Sequence, residues 1–568
     1  MNFARFLPIA AWLPDYDRSW FTSDLIAGLT VWALVVPQSI AYAQIAGLPP
    51  QAGIFVSFAA PLGYALFGTS RQLVCSPTSA TAAISAALVA PVVVDHPEDY
   101  AAMSAALAIL CGIAFFVLGK LKLGFVSQFI ASAVQTGFLF GLGLTIIIGQ
   151  LFKVFGFGGI NGPFYKQAWH FLRHIGDTNG WTLLIGGGAF IAVTLLGRSV
   201  PKLPAALIMV ALSIVIVSVF DLTEKGVAVV GTVDRAFPTP ALPIVDLGAL
   251  LTLVPGALAI VVVGYSESIS VAKRFADEHH YQIRPDQELT ALGFSSALGG
   301  IFQGFISGGG ASQSAANDRA GAKTQMSSIV LALLAALTSI LLMPLFKNLP
   351  LAVLSAIVIN AVMGFVNLPA LRHVRALRRD SFVLALLAMI GVLMLGILAG
   401  LLIAVAISIV LMLSRIGRPS VSEVVLVPDT SAVVAIAYHP ELAVSPSLLV
   451  LRPDFPLLFA NASWIRDRVV SETERAEPRV VVLDLETTHS LDLSSLETLE
   501  SIQRDLADRG TELWLSNVHT AVREMLERSR VVDRIGRERV FATVADATRV
   551  FEQLPESDPP KDERGGDR

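Results

Sequence analysis

Two short stretches combine residue types that could hold a small charged solute inside an apolar chain. Cys75-Ser76-Pro77-Thr78-Ser79-Ala80 and Gly308-Gly309-Gly310-Ala311-Ser312-Gln313-Ser314 place breakers and hydroxyls where an ordinary span would carry Leu and Val. Pro77 lacks an N–H and suits the first turn of a helix, and Thr78, Ser79, Ser312 and Ser314 can cap or donate. A helix start carries about half a positive charge. Two starts facing each other therefore offer an anion about one unit of positive potential and free N–H donors. Glu267 supplies different chemistry, the binding and release of a proton or another cation. A mid-membrane carboxylate costs about 2.5–3.5 kcal/mol on insertion scales, so it is read as functional. The alternative is a structural hydrogen bond to Ser266 or Ser268.

These residues need elements to position them. Apolar stretches of spanning length run near 25–45, 51–67, 77–94, 101–119, 125–149, 181–197, 203–220, 248–269, 288–306, 326–346, 350–367, 381–397 and 398–414, with a Gly/Ser-rich piece at 308–322. About 20 apolar residues cross the roughly 30 Å of hydrocarbon, so about fourteen elements are expected. Pro37 and Gln38 interrupt the apolar run before Ala41-Tyr42-Ala43, which favours a span over a cleavable signal peptide. Gln38-Ser39-Ile40-Ala41-Tyr42-Ala43 aligns with Glu267-Ser268-Ile269-Ser270-Val271-Ala272, seven elements later. An odd offset makes the halves run oppositely through the bilayer, and the two interrupted segments then occupy matching places, which points to a midplane site.

Composition agrees. Of 568 residues, 54% are hydrophobic and 15% charged, with a mean hydropathy of +0.66. Of the 86 charged residues, 44 follow Ser420, which divides the chain into a membrane body at 21–416, after an N-terminal segment at 1–20, and a soluble domain at 420–555. The charged end at 556–568 reads as disordered. A net charge of −4 argues against nucleic acid. Cys75 and Cys111 fit neither a disulfide framework nor a zinc spacing. Arg71, Lys120, Lys122, Arg198, Lys202, Lys273, Arg274, Arg319, Lys323 and Arg372/Arg375/Arg378/Arg379 follow even-numbered elements, which puts both termini in the cytoplasm. Lys153, Lys166 and Arg173 are the exception, on the expected outer side. No G-x-S-x-G, H-E-x-x-H or P-loop occurs, so an enzyme is not expected. No cofactor or metal is expected either. Asp277-Glu278-His279-His280 reads as a solvated loop, and Asn317, Asp318 and Arg319 as the end of the tenth element at the inner interface rather than as binding residues.

Asp24-Leu25-Ile26-Ala27-Gly28-Leu29-Thr30, Val36-Pro37-Gln38-Ser39-Ile40-Ala41-Tyr42-Ala43 and Ala46-Gly47-Leu48-Pro49-Pro50 resemble the opening signature of the sulfate permease (SulP) family. Gly68-Thr69-Ser70-Arg71-Gln72, Glu267-Ser268-Ile269 and Ala320-Gly321-Ala322-Lys323-Thr324 are similar too. The resemblance implies an α-helical polytopic membrane protein of fourteen spans. These form two inverted seven-span repeats, divided into core and gate domains and usually dimeric, which move an anion by an elevator-like cycle. It further implies that Gln38 and Tyr42 contact the anion, that Thr78, Ser79, Ala80, Ala311, Ser312 and Gln313 close the site, and that Glu267 couples transport to protons. Many members carry an arginine where this chain has Gln313, and a glycine where it has Cys75. Without that arginine the site suits an anion accompanied by a cation.

After Ser420, strands at Val480–Asp484, Glu512–Ser516 and near Val540–Val544 alternate with helices. The α/β pattern resembles a STAS domain, which implies a cytoplasmic protein partner. Ser494 stands where the phosphorylated serine of bacterial anti-sigma-factor antagonists lies. Ser494-x-x-Glu497 also reads as a capping box, and the cap is the expected role, with a regulatory phosphate as the alternative. The expected function is secondary transport of a sulfate-like anion, bicarbonate or a dicarboxylate across the cell membrane by proton (or sodium) symport. Exchange, a passive anion channel and a membrane-anchored STAS scaffold remain the alternatives.

Overall fold

The computed structural model describes residues 7–125, 132–160, 162–200, 204–232, 237–427, 430, 432–442 and 445–555. The expected disordered end at 556–568 lies outside them. Two compact units divide at Ile409/Val410.

The first unit is helical. Its main helices are α1 (Phe21–Ile45), α2 (Pro50–Phe67), α3 (Ser79–Val89), α4 (Tyr100–Lys120), α5 (Ser132–Phe155), α6 (Gly180–Ser199), α7 (Ala205–Val219), α8 (Val254–Glu278), α9 (Pro285–Ile301), α10 (Ala311–Arg319), α11 (Met326–Leu337), α12 (Leu351–Val362), α13 (Arg379–Leu395) and α14 (Ile397–Gly417). Among the described residues eight helices are long and apolar enough to cross a bilayer, and α3, α7 and α12 are shorter apolar helices. The interrupted segments are shorter than the stretches at 77–94 and 308–322 suggested. α3 has 11 residues and α10 has 9, or about 16 and 14 Å of helix. Each alone reaches roughly halfway through the hydrocarbon, and the two together match its thickness.

What precedes each half-helix explains the shortening. β1 (Cys75–Ser76) and β2 (Gly308–Gly309) pair antiparallel, Cys75 opposite Gly309 and Ser76 opposite Gly308. Extended backbone at membrane depth needs internal hydrogen-bond partners, and each strand supplies them to the other. Opposed strand directions are also what inverted halves would produce.

Packing separates the helices into two groups, α1–α4 with α8–α11 and α5–α7 with α12–α14, and α7 and α12 also touch α1. Small residues allow the closest approaches. A Cβ on Gly112 of α4 would meet the Ala297 nitrogen of α9 at 2.8 Å, and Gly137 of α5 lies against the Ala385 carbonyl of α13.

The second unit holds a five-stranded sheet of order β4-β3-β5-β6-β7: β3 (Val421–Leu426), β4 (Val433–Ala435), β5 (Leu448–Pro453), β6 (Val480–Asp484) and β7 (Glu512–Ser516). β5, β6 and β7 run parallel. Helices α15 (Ala462–Ala476), α16 (Leu493–Ala507), α17 (Thr520–Arg528) and α18 (Val531–Ile535) follow, and α19 (Val544–Glu552) closes the domain. The strand expected near Val540–Val544 is absent: Val540 makes one isolated bridge to Leu515, and Val544 begins α19. Thr543 caps that helix by accepting from the Asp546 N–H, so the turn chemistry overrides the apolar run.

Candidate functional site

Thr78 is the N-cap of α3, accepting from the Thr81 N–H at 3.2 Å and pairing with the Thr81 hydroxyl at 2.9 Å. Its capacity goes to the cap, and Ser79 and Ala80 open the helix. Their N–H groups have no intrahelical acceptor by position. Both residues are buried. Gly310 caps α10, and its own N–H donates to the Val74 carbonyl at 3.0 Å. Ala311 and Ser312 at that helix start are exposed, whereas Gln313 and Ser314 are buried.

Gln313 links the elements. Its Nε2 donates to Gln38 Oε1 at 3.0 Å and to the Pro77 carbonyl at 3.3 Å. That joins α10 to α1 and to the residue preceding the α3 cap. With the Gln38 oxygen occupied, the Gln38 amide nitrogen is the end left to donate. The Gln313 side chain fills the space a Cβ on Gly310 would need, which accounts for the glycine. Tyr42, one turn beyond Gln38, is buried with Ser79 as a hydrogen-bonding neighbour. On α8, Ser268 accepts from the Gly309 N–H at 2.9 Å and donates to the Gly264 carbonyl at 2.7 Å. Gln38, Tyr42, Thr78, Ser79, Gln313 and Ser268 are thus gathered around β1, β2 and the two half-helix starts.

Glu267 sits half-buried beside Ser268. Among the described residues it has no hydrogen-bond or ion-pair partner. The structural alternative fails for Ser268, whose hydroxyl serves Gly309 and Gly264 instead. The local arrangement is a ring of neutral donors with one free carboxylate, suited to a small anion together with a proton or other cation.

Two carboxylates that the sequence reading passed over hold the frame. Glu288 of α9 accepts from the Tyr64 hydroxyl at 2.6 Å, the Thr69 N–H and hydroxyl at 2.7 and 2.5 Å, and the Ser70 N–H at 3.2 Å. Asp24 of α1 accepts from the Lys323 N–H at 2.7 Å, the Thr324 N–H and hydroxyl at 3.1 and 2.7 Å, and the Tyr16 hydroxyl at 3.1 Å. Each fixes a loop of the opposite half: Glu288 the approach to β1, Asp24 the exit from α10. The signal was present in the two loop motifs, Gly68–Gln72 and Ala320–Thr324, but their partners are hundreds of residues away.

Three expectations change. Asp277 and Glu278 belong to α8 rather than a loop, and His279 meets Asp318 at 2.5 Å. α10 does end at Arg319, yet Asn317 also donates to the Gln72 carbonyl at 3.1 Å, so this end binds neighbours after all. In the second unit, Ser494 is no cap: Asp492 caps α16, accepting from the Ser495 N–H at 2.8 Å, and Ser494 is exposed inside the first turn. Among the described residues no cluster of three or more His, Cys, Asp or Glu could hold a metal.

Residues 21–388 match the sulfate permease family and residues 439–547 the STAS domain. A probable sulfate transporter of Mycobacterium tuberculosis is 32% identical over 550 residues, covering 95% of this chain and 98% of its own. Sulfate transporter 1.1 of Arabidopsis thaliana is 31% identical, covering 96% of this chain and 88% of its own. The structure of murine solute carrier 26 family member A9, an anion transporter, superposes with a TM-score of 0.86 at 22% identity, covering 97% of this chain and 94% of that one. The transmembrane domain of a cyanobacterial bicarbonate transporter gives a TM-score of 0.61 at 19% identity, covering 68% of this chain and 98% of that one. The match across most of the chain, with a STAS domain behind it, makes this protein a member of the sulfate permease family, a multi-pass membrane transporter of anions rather than an enzyme.

Proposed function

We propose that the protein is a secondary active transporter of sulfate or a similar small anion across the cell membrane, coupled to protons through Glu267. The anion would sit between the α3 and α10 starts, held by the amides of Ser79, Ala80, Ala311 and Ser312, by the Gln38 amide and by Tyr42. The Gln313 bridge to Gln38 and Pro77 carries this reading, because it ties both half-helices to α1 and leaves the Gln38 amide nitrogen to donate. Sulfate is the first candidate because the M. tuberculosis and A. thaliana relatives are named for it. With no fixed cation among these groups, a proton on Glu267 removes the charge most unfavourable to a dianion. The two helix groups suit an elevator cycle in which α1–α4 with α8–α11 carry the site past α5–α7 with α12–α14. We assign both termini to the cytoplasm, a dimer as the working unit, and Ser494 as an accessible position for a regulatory phosphate.

Uptake of labelled sulfate, bicarbonate and a dicarboxylate into proteoliposomes, with proton and sodium gradients imposed separately, tests this. Wild-type protein should concentrate sulfate along an inward proton gradient. Glu267→Gln should lose that accumulation while anion exchange survives. Gradient-driven accumulation by Glu267→Gln overturns the coupling role, and anion currents without any concentrating ability identify a channel.

A further inference from the structure

Between α12 and α13 lies a ten-residue helix, Leu368–Leu377, with no buried residue. Asn367 caps it by accepting from the Ala370 N–H at 3.0 Å. Leu371, Val374 and Leu377 fall along one side, and Arg372 and Arg375, with Leu368 between them, along the other. Arg378 and Arg379 follow directly, and all four arginines are exposed. The helix packs on α13 and α5. Those two helices contain one carboxylate between them, Asp380.

Among the described residues none of these arginines has a carboxylate within ion-pair distance. Arg375 instead lies 5.8 Å from the Phe382 ring centre. The second unit shows the contrast. There Arg452, Arg466, Arg468, Arg475, Arg509, Arg534 and Arg539 all meet carboxylates. Four uncompensated guanidinium groups on one short segment, directly continuous with α13, call for an external anion. Leu368 and Leu377, 49% and 69% exposed, call for an apolar medium next to it.

We propose that Leu368–Arg379 is a binding surface for the headgroups of anionic phospholipids, with the exposed Leu377 in the acyl boundary and Arg372, Arg375, Arg378 and Arg379 on lipid phosphates. A basic amphipathic helix lies in the interface plane in this way, and guanidinium groups match phosphate geometry. This site is separate from the transport site, and the inference does not rest on the transport reading.

Native mass spectrometry of the full chain in uncharged detergent, titrated with phosphatidylglycerol or phosphatidylcholine, reads the occupancy of each. The wild type should retain phosphatidylglycerol in preference, and each Arg→Gln change should lower the preference about fivefold, with R372Q/R375Q/R378Q/R379Q nearly abolishing it. High salt on the unmodified protein gives a second reading that needs no variant, since at about 1 M the screening length falls to about 3 Å. Equal retention of the two lipids by the wild type, or an unchanged preference in the quadruple variant or in high salt, overturns the proposal. So does displacement of the lipid by millimolar inorganic phosphate or by polyglutamate, which would identify a soluble phosphate or an acidic protein segment as the occupant.

Discussion

Gln313 stands where the family resemblance implies an arginine, and its neighbours show what a neutral amide does there. It positions Gln38 rather than confronting the solute with charge, through bonds of 3.0 and 3.3 Å. Net worth per neutral hydrogen bond is about 0.5–1.5 kcal/mol, so Gln313→Ala should raise the apparent KM for the transported anion about fivefold. Because Gln313 is buried and its amide bridges two elements, the variant should also melt below wild type; concentration-dependent uptake checks the first effect and a thermal melt the second. Thr78 and Ser79 stood out as candidates in the sequence because breakers and hydroxyls inside apolar runs are rare, whereas Gln38 and Gln313 were named only through the family resemblance. The division of labour among them was not legible. Thr78 spends its hydroxyl on Thr81 and Ser268 spends its own on Gly309, and only three-dimensional pairing decides such choices.

Helix starts set the behaviour of single elements, in the soluble unit as in the membrane body. In α16 the cap moved from the expected Ser494 to Asp492, since Asp492 accepts from both the Ser495 and Phe459 N–H groups at 2.8 Å. Burial pushes this carboxyl up, but those N–H donors outweigh it and hold it below the usual carboxylate range. The sign follows directly: a lowered native value stabilises α16 above the ordinary carboxylate pKa of about 4, and that stabilisation is lost as pH falls through the lowered value. Asp492→Ala should cost about 1 kcal/mol at neutral pH. Hydrogen exchange at the first turn of α16 in the full chain should show faster opening, with the difference from wild type vanishing in acid. Element lengths were legible where apolar runs were uninterrupted. They were overestimated for α3 and α10, because a two-residue strand pairing Cys75 with Gly309 and Ser76 with Gly308 leaves no trace in local periodicity.

Across the whole molecule, the long apolar stretches and the composition step near Ser420 made a membrane body followed by a second unit readable at once. The carboxylate clamps were not readable, since each joins segments about 220 or 300 positions apart. Glu288→Gln replaces one of two accepting oxygens with an NH2 that faces donors, either the Tyr64 hydroxyl or the Thr69 and Ser70 groups. Losing charge-assisted bonds in a buried place costs about 3 kcal/mol. The variant should melt several degrees lower in detergent and lose uptake in proportion, whereas Asp318→Asn on the partly exposed His279 contact should melt close to wild type.

Those reciprocal clamps also constrain how the chain is made. At about 5–20 residues per second, Asp24 leaves the ribosome roughly 15–60 s before the Lys323 and Thr324 amides that will satisfy it, and Thr69 likewise waits for Glu288. Neither half can finish its own loops alone. The nascent N-terminal half must be kept open in the membrane until its counterpart arrives, and two separately synthesised halves should reassemble only when both are present.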